Sequence, residues 1–96
     1  MNLPVIVRAA AAADLTAAVT YYQRVGHAHR FRAELDDVIQ RVSELPRAAP
    51  VVHAGVRRAL MRRYPYAVFY LIAPRAVVVL AVLHQHTHPS RWPNDR

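Results

Sequence analysis

The chain contains no cysteine and no lysine, and from Leu45 to Asn94 it contains no aspartate or glutamate. Without cysteine there is no disulfide, no thiolate nucleophile and no cysteine-ligated zinc, which fits a reducing compartment. Without lysine there is no amine to act as a general base. No apolar run reaches the roughly 18 residues needed to cross a bilayer. The N-terminus lacks a basic leader with a long apolar stretch, since Arg8 interrupts it and Asp14 follows, so a cytoplasmic protein with no membrane association is expected. With 54% hydrophobic and 20% charged residues the sequence is too apolar for disorder. Its 96 residues predict one domain over 1–96 with one modest core.

All basic charge apart from histidine is arginine, thirteen residues against six acids, for a net charge of +7. Arginine presents a planar fork of donors that matches phosphate and carboxylate, although a genome biased toward Arg and Ala codons accounts for the choice of Arg over Lys equally well. Codon bias does not explain the distribution. The acid-free half carries seven arginines (47, 57, 58, 62, 63, 75, 91) and His53, His84, His86 and His88, while Asp14, Glu34, Asp36, Asp37 and Glu44 lie in the other half. A positive surface for anionic partners follows.

Local patterns predict the order strand, helix, helix, strand, strand, strand. Leu3–Arg8 is short and β-branched and contains a proline, as in an edge or first strand. The alanine run starts a helix that continues through Leu15, Ala18, Val19 and Tyr22 and stops at Gly26. Phe31, Leu35, Val38, Ile39, Val42 and Leu45 form one apolar stripe of a second helix from Ala28, ended by Pro46. Asp37 and Arg41 are placed for an i,i+4 pair. RAAPVVHAG reads as a connection. Val56–Arg63, Tyr66–Ala73 and Ala76–Gln85 read as strands, the last two joined by a tight hairpin at Pro74-Arg75. The last two are apolar on both faces, so one face should lie on the helices and the other under some cover, which could be a partner. The tail HTHPSRWPNDR reads as irregular, with Trp92 as an anchor. The fold class is α+β: a two-layer sandwich of an N-terminal strand, a helical hairpin and a three-stranded antiparallel meander, the pairing of the first strand left open.

Several residues invite functional readings. In an extended strand His84, His86 and His88 would face one way, and a metal could sit between two of them. With no carboxylate or cysteine in that half to complete a ligand set, no metal and no cofactor is expected. Arg57 and Arg63 would share one strand face and Arg58 and Arg62 the other, so one pair or the other is simply solvated. Tyr64, Tyr66, Tyr70 and Trp92 could stack on bases, but aromatic residues on strands more often belong to a core. Tyr21 and Tyr22 read as helix-packing residues.

In order and spacing the chain resembles the RelE/ParE toxin superfamily of type II toxin–antitoxin systems, often labelled plasmid stabilisation proteins. The resemblance rests on Ala13-Asp14-Leu15, Tyr21-Tyr22, Glu44-Leu45-Pro46, Arg57-Arg58, Arg63-Tyr64-Pro65-Tyr66 to Phe69-Tyr70, Val79 to His84, His88-Pro89 and Arg91-Trp92. It implies a small toxin held inactive by a tightly bound antitoxin, short and acidic and encoded adjacently, part of which folds on the toxin. Superfamily members divide by target. RelE-like toxins cleave mRNA on the ribosome, and ParE-like toxins poison DNA gyrase.

Metal-free RNA cleavage needs a base for the 2′-hydroxyl, a cation for the phosphorane and an acid for the leaving oxygen. The resemblance implies an arginine just after Tyr66 in active nucleases, where this chain has Ala67, and lysines or a C-terminal tyrosine that it lacks. A nuclease site would have to be rebuilt from Arg63 with His84, His86 and His88. The ParE-like reading needs no catalytic set and is therefore preferred, with Arg57, Arg58, Arg62, Arg63, His88, Arg91 and Trp92 as target-binding residues. A degenerate toxin that keeps only antitoxin binding is the third possibility.

Overall fold

A computed structural model describes residues 2–94. In chain order the elements are β1 (Val5–Val7), α1 (Ala9–Arg24), α2 (Ala28–Glu44), β2 (Val51–His53), β3 (Val56–Leu60), β4 (Tyr66–Ala73), β5 (Ala76–His84) and a 3-10 turn, Pro89–Arg91. The strands form one sheet in the order β1-β5-β4-β3-β2, with the helical hairpin against one face.

The alanine run leads directly into α1, and Gly26 ends it as expected. Gly26 adopts φ +79°, its N–H reaches the Gln23 carbonyl, and the His27 N–H reaches the Tyr22 carbonyl at 2.8 Å. These two bonds make a Schellman end, in which glycine takes the left-handed position at no steric cost. The stripe on α2 turns Phe31, Leu35, Val38 and Val42 into a core with Ala18 and Tyr22 of α1 and Val68, Tyr70, Val77, Val79 and Val82 of the sheet.

The open pairing of the first strand resolves as parallel to β5, Val5 opposite Val77 and Val7 opposite Val79. This strand is shorter than Leu3–Arg8. Leu3 binds α2 instead: its N–H donates to the Ser43 carbonyl, and the Ser43 hydroxyl donates to the Leu3 carbonyl at 2.6 Å. The connection RAAPVVHAG contains a strand that the sequence reading omits, β2, paired with β3 through a two-residue turn at Ala54-Gly55. The meander therefore has four strands rather than three. Both turn residues have positive φ, 46° and 79°, as a type I′ hairpin turn requires. Alanine rarely takes that conformation, so the turn carries no sequence signal.

On β5, Ala81 pairs with Phe69 and Val79 with Tyr70, leaving Leu80 as an extra residue. This bulge turns both Leu80 and Ala81 to the outer face, where they join Val56, Ala67 and Phe69 in a second apolar cluster. The cover predicted for that face is in part the chain's own tail, since Trp92 packs on Phe69 with centroids 5.5 Å apart. The tail is thus partly regular, with the 3-10 turn where an irregular segment was expected; its last two residues lie outside the described residues.

Candidate target-binding surface

Of the arginines on β3, Arg57 and Arg58 are half-buried and occupied. Arg57 Nη1 donates to the carbonyls of Ala49 at 2.7 Å and Arg47 at 3.1 Å, and beside it the Tyr70 hydroxyl donates to the Pro46 carbonyl at 2.6 Å. Together they pin the loop that follows α2. Burial pushes the Tyr70 hydroxyl pKa up, against the opposing pull of the Arg57 guanidinium. Arg58 lies on the other face, its guanidinium carbon 4.9 Å from the Trp92 ring centroid, and the Trp92 indole N–H donates to the Thr87 carbonyl at 3.2 Å.

Arg62 and Arg63 stand beyond the end of β3. The strand stops at Leu60 rather than continuing to Arg63, because the chain turns to α2. After a last bond from the Met61 N–H to the Tyr66 carbonyl, the Arg62 and Arg63 amides donate to the Glu34 carboxylate at 2.6 and 2.9 Å. The expected alternation of arginines on two faces is therefore not present. Both side chains are exposed in an open cleft with Arg30, Asp37 and Arg41 of α2. The Asp37–Arg41 pair expected from their spacing makes no hydrogen bond, although both residues line this cleft.

The three C-terminal histidines do not form a ladder. β5 ends at His84, and Gln85 anchors a turn, its N–H donating to Pro65 at 2.7 Å and its side-chain amide to the carbonyls of Met61 and Tyr66. His84 Nδ1 accepts the His86 N–H at 3.1 Å, and the two rings lie 5.3 Å apart. His88 is separate: its Nδ1 accepts the Ser90 N–H at 3.1 Å and caps the 3-10 turn. These bonds assign the Nε2–H tautomer to His84 and His88. Among the described residues no group of three or more histidine, aspartate or glutamate side chains is placed to hold a metal ion. Arg91 is exposed, with no side-chain hydrogen bond among the described residues.

The tyrosines are mainly core. Tyr22 stacks on Phe31 at 4.7 Å and meets Tyr64 at 4.9 Å and Tyr66 at 6.1 Å, while Tyr21 is exposed at the edge of this group. Burial, with the neighbouring tyrosines adding to it, raises the Tyr22 pKa. The structure also gives work to Asp14, Glu34 and Gln85, for which the sequence suggested no role. Asp14 reaches from α1 to accept the Val82 N–H at 3.0 Å, just past the stretch of β5 paired with β1. No local pattern marks these three, because each serves a backbone group distant in sequence.

A family model described as the ParE toxin of type II toxin–antitoxin systems, parDE, matches residues 5–89. The chain belongs to the ParE toxin family. It is the toxin component of a type II toxin–antitoxin system within the RelE/ParE superfamily, and an antitoxin partner follows from that membership. The fold is similar to a chain in a structure of the chromosomal ParDE system from P. aeruginosa. The TM-score is 0.75 at 17% identity, covering 85% of this chain and 95% of that one. No curated protein sequence matches the chain. Ala67 is fully buried in the outer cluster of this ParE-family fold, paired with Leu60 and Leu83. Among the described residues no helix is long and apolar enough to cross a membrane.

Proposed function

We propose that this ParE-family toxin acts on DNA gyrase in the cytoplasm when its antitoxin is absent, arresting growth by binding rather than by chemistry of its own. The ParE family match carries the reading, since gyrase inhibition is typical of that family. The side chains support it. At the position where a nuclease would need arginine, Ala67 packs in the outer cluster. Nδ1 of both His84 and His88 is already an acceptor for a backbone amide.

In this reading the contacts come from exposed guanidinia, Arg91 on the tail and Arg62 and Arg63 on the β3–β4 loop. Arg57, Arg58, Trp92 and His88 act through the segments they hold in place. The test is accumulation of cleaved DNA by purified gyrase in the presence of the chain, with pulse labelling of DNA and protein synthesis after induction. An early fall in DNA synthesis and trapped cleavage complexes are expected. An early fall in protein synthesis alone would refute the gyrase reading.

A specific observation favours a second reading, a metal-independent, ribosome-dependent mRNA endonuclease. Gln85 joins the His84–His86 turn to the loop bearing Arg63, bringing these residues to one end of the sheet. There His84 or His86 would serve as acid or base and Arg63 as phosphate ligand. Cleavage of ribosome-bound mRNA that is lost in His84→Ala and Arg63→Ala would establish it. Silence in both assays would leave a degenerate toxin that binds only its antitoxin.

A further inference from the structure

Two openings on the α2 side of the sheet form one continuous surface. The first, about 590 Å³, is ringed by Arg30, Arg41, Arg62 and Arg63. The second, about 280 Å³, is floored by Val38, Val42, Ala59 and Tyr70 and edged by Leu45 and Ala48. They share Arg41 and Arg62, so a trough runs along α2 from a basic end to an apolar end. The 15-residue separation of Arg30 and Leu45 along the chain spans about 22 Å of helix, the length of about four helical turns.

Both ends lack the partners that their chemistry calls for. None of the four guanidinia makes a hydrogen bond among the described residues, and only Glu34 and Asp37 stand against them in the basic opening. The Glu34 carboxylate is already engaged by the Arg62 and Arg63 amides. At the other end Leu45 continues the apolar stripe of α2, yet it is 64% exposed, the most exposed large hydrophobic residue among those described. An exposed apolar side chain in a groove rimmed by cations is a feature of recognition surfaces.

We propose that this trough is the docking groove for an amphipathic segment of the antitoxin, with its carboxylates among Arg30, Arg41, Arg62 and Arg63 and its apolar side chains on Leu45, Val42 and Ala48. The proposal rests on the family assignment and not on the choice of target. Nucleic acid fits less well, because phosphates would leave the apolar end uncovered and would meet Asp37. A second copy of this chain would bring like charges together, given its net charge of +7. Carboxylates paired with the arginines and desolvated by the apolar contact give both affinity and orientation along the groove.

The experiment measures binding of the full-length chain to the protein encoded by the short acidic reading frame adjoining its own gene, by calorimetry at two salt concentrations. Three variants are compared: Leu45→Asp, the pair Arg41→Glu with Arg62→Glu, and Ile6→Asp on the outer sheet face as control. All the altered side chains are exposed, and thermal melts followed by circular dichroism check that each variant folds. The expected result is at least a tenfold loss of affinity for Leu45→Asp and for the charge pair, with a weaker salt dependence in the latter. Ile6→Asp should stay within twofold of the unsubstituted protein. The proposal is overturned if both trough variants bind within twofold, or if Ile6→Asp alone loses affinity. It is equally overturned if the trough variants keep the antitoxin and lose only gyrase–DNA binding. No gyrase enters the antitoxin assay, so failure here and failure of the gyrase reading are separable.

Discussion

Asp14 sits in a helix that is otherwise largely alanine, and its carboxylate is the acceptor for a β5 amide that has no strand beside it. Replacing it with alanine leaves that half-buried N–H without its acceptor, at a cost of about 1–3 kcal/mol. Urea unfolding of Asp14→Ala should show that loss as a lower midpoint with an unchanged slope; an unchanged midpoint would mean that water serves the amide equally well. Tyr70 gives a prediction in pH. Burial raises its pKa above the ordinary value of 10.0, and that of Tyr22 likewise, so the folded state holds these protons more tightly than the unfolded chain. The corresponding stability is complete below about pH 10 and is lost as pH rises through the folded-state values. Tyr70→Phe removes one of the two contributions together with the bond to Pro46. It should lower stability by about 1 kcal/mol at neutral pH and make the alkaline decline shallower. Chemical denaturation at several pH values between neutral and strongly alkaline would check both.

Among the elements, the β2–β3 hairpin shows where sequence patterns fail and why. Proline-flanked Val51-Val52-His53 is too short to show alternation, and Ala54 holds φ 46° because the closed hairpin requires it. A left-handed alanine costs roughly 1 kcal/mol that asparagine largely avoids. Ala54→Asn should raise the unfolding free energy by up to about that amount, read from denaturant melts, and a fall would show that the turn is held by contacts other than its backbone. The loop after β3 depends on α2 in the same non-local way. Glu34→Ala should release the Arg62 and Arg63 amides, seen as faster hydrogen exchange at both, while the α2 amides remain protected. The helices were legible for the opposite reason: the stripe from Phe31 to Leu45 and the stop at Gly26 are local patterns repeated over many residues. The bulge at Leu80 has no such signature, and without it Leu80 and Ala81 could not share a face.

At the scale of the whole molecule, the sheet separates two apolar clusters, one under the helices and one partly covered by the chain's own Trp92. Phe31 is fully buried in the first, against Tyr22, Tyr64 and Tyr66. Phe31→Ala should cost about 3–5 kcal/mol, a large part of the stability of a chain this size, and should lower the thermal midpoint more than any surface change proposed above. The acid-free half and the net charge of +7 were legible without coordinates, as was the α+β sandwich with its helical hairpin. The same sequence left the candidate site unassembled. It offered nine polar or aromatic candidates for target binding or catalysis, Arg57, Arg58, Arg62, Arg63, His84, His86, His88, Arg91 and Trp92, as if they were equivalent. The structure divides them by what each side chain touches. Arg57, Arg58, Trp92 and His88 are engaged with carbonyls, a ring or an amide, while Arg62, Arg63 and Arg91 extend free guanidinia. Helix periodicity, chain punctuation and charge balance follow from neighbours along the chain, so the sequence alone determined them. Which arginines are free, where the histidines point and which face the tail covers depend on groups 20 to 70 residues apart, such as Glu34 with Arg63 and Asp14 with Val82. Only the tertiary structure decided those, because a hydrogen bond to a distant backbone group leaves no periodicity in the sequence.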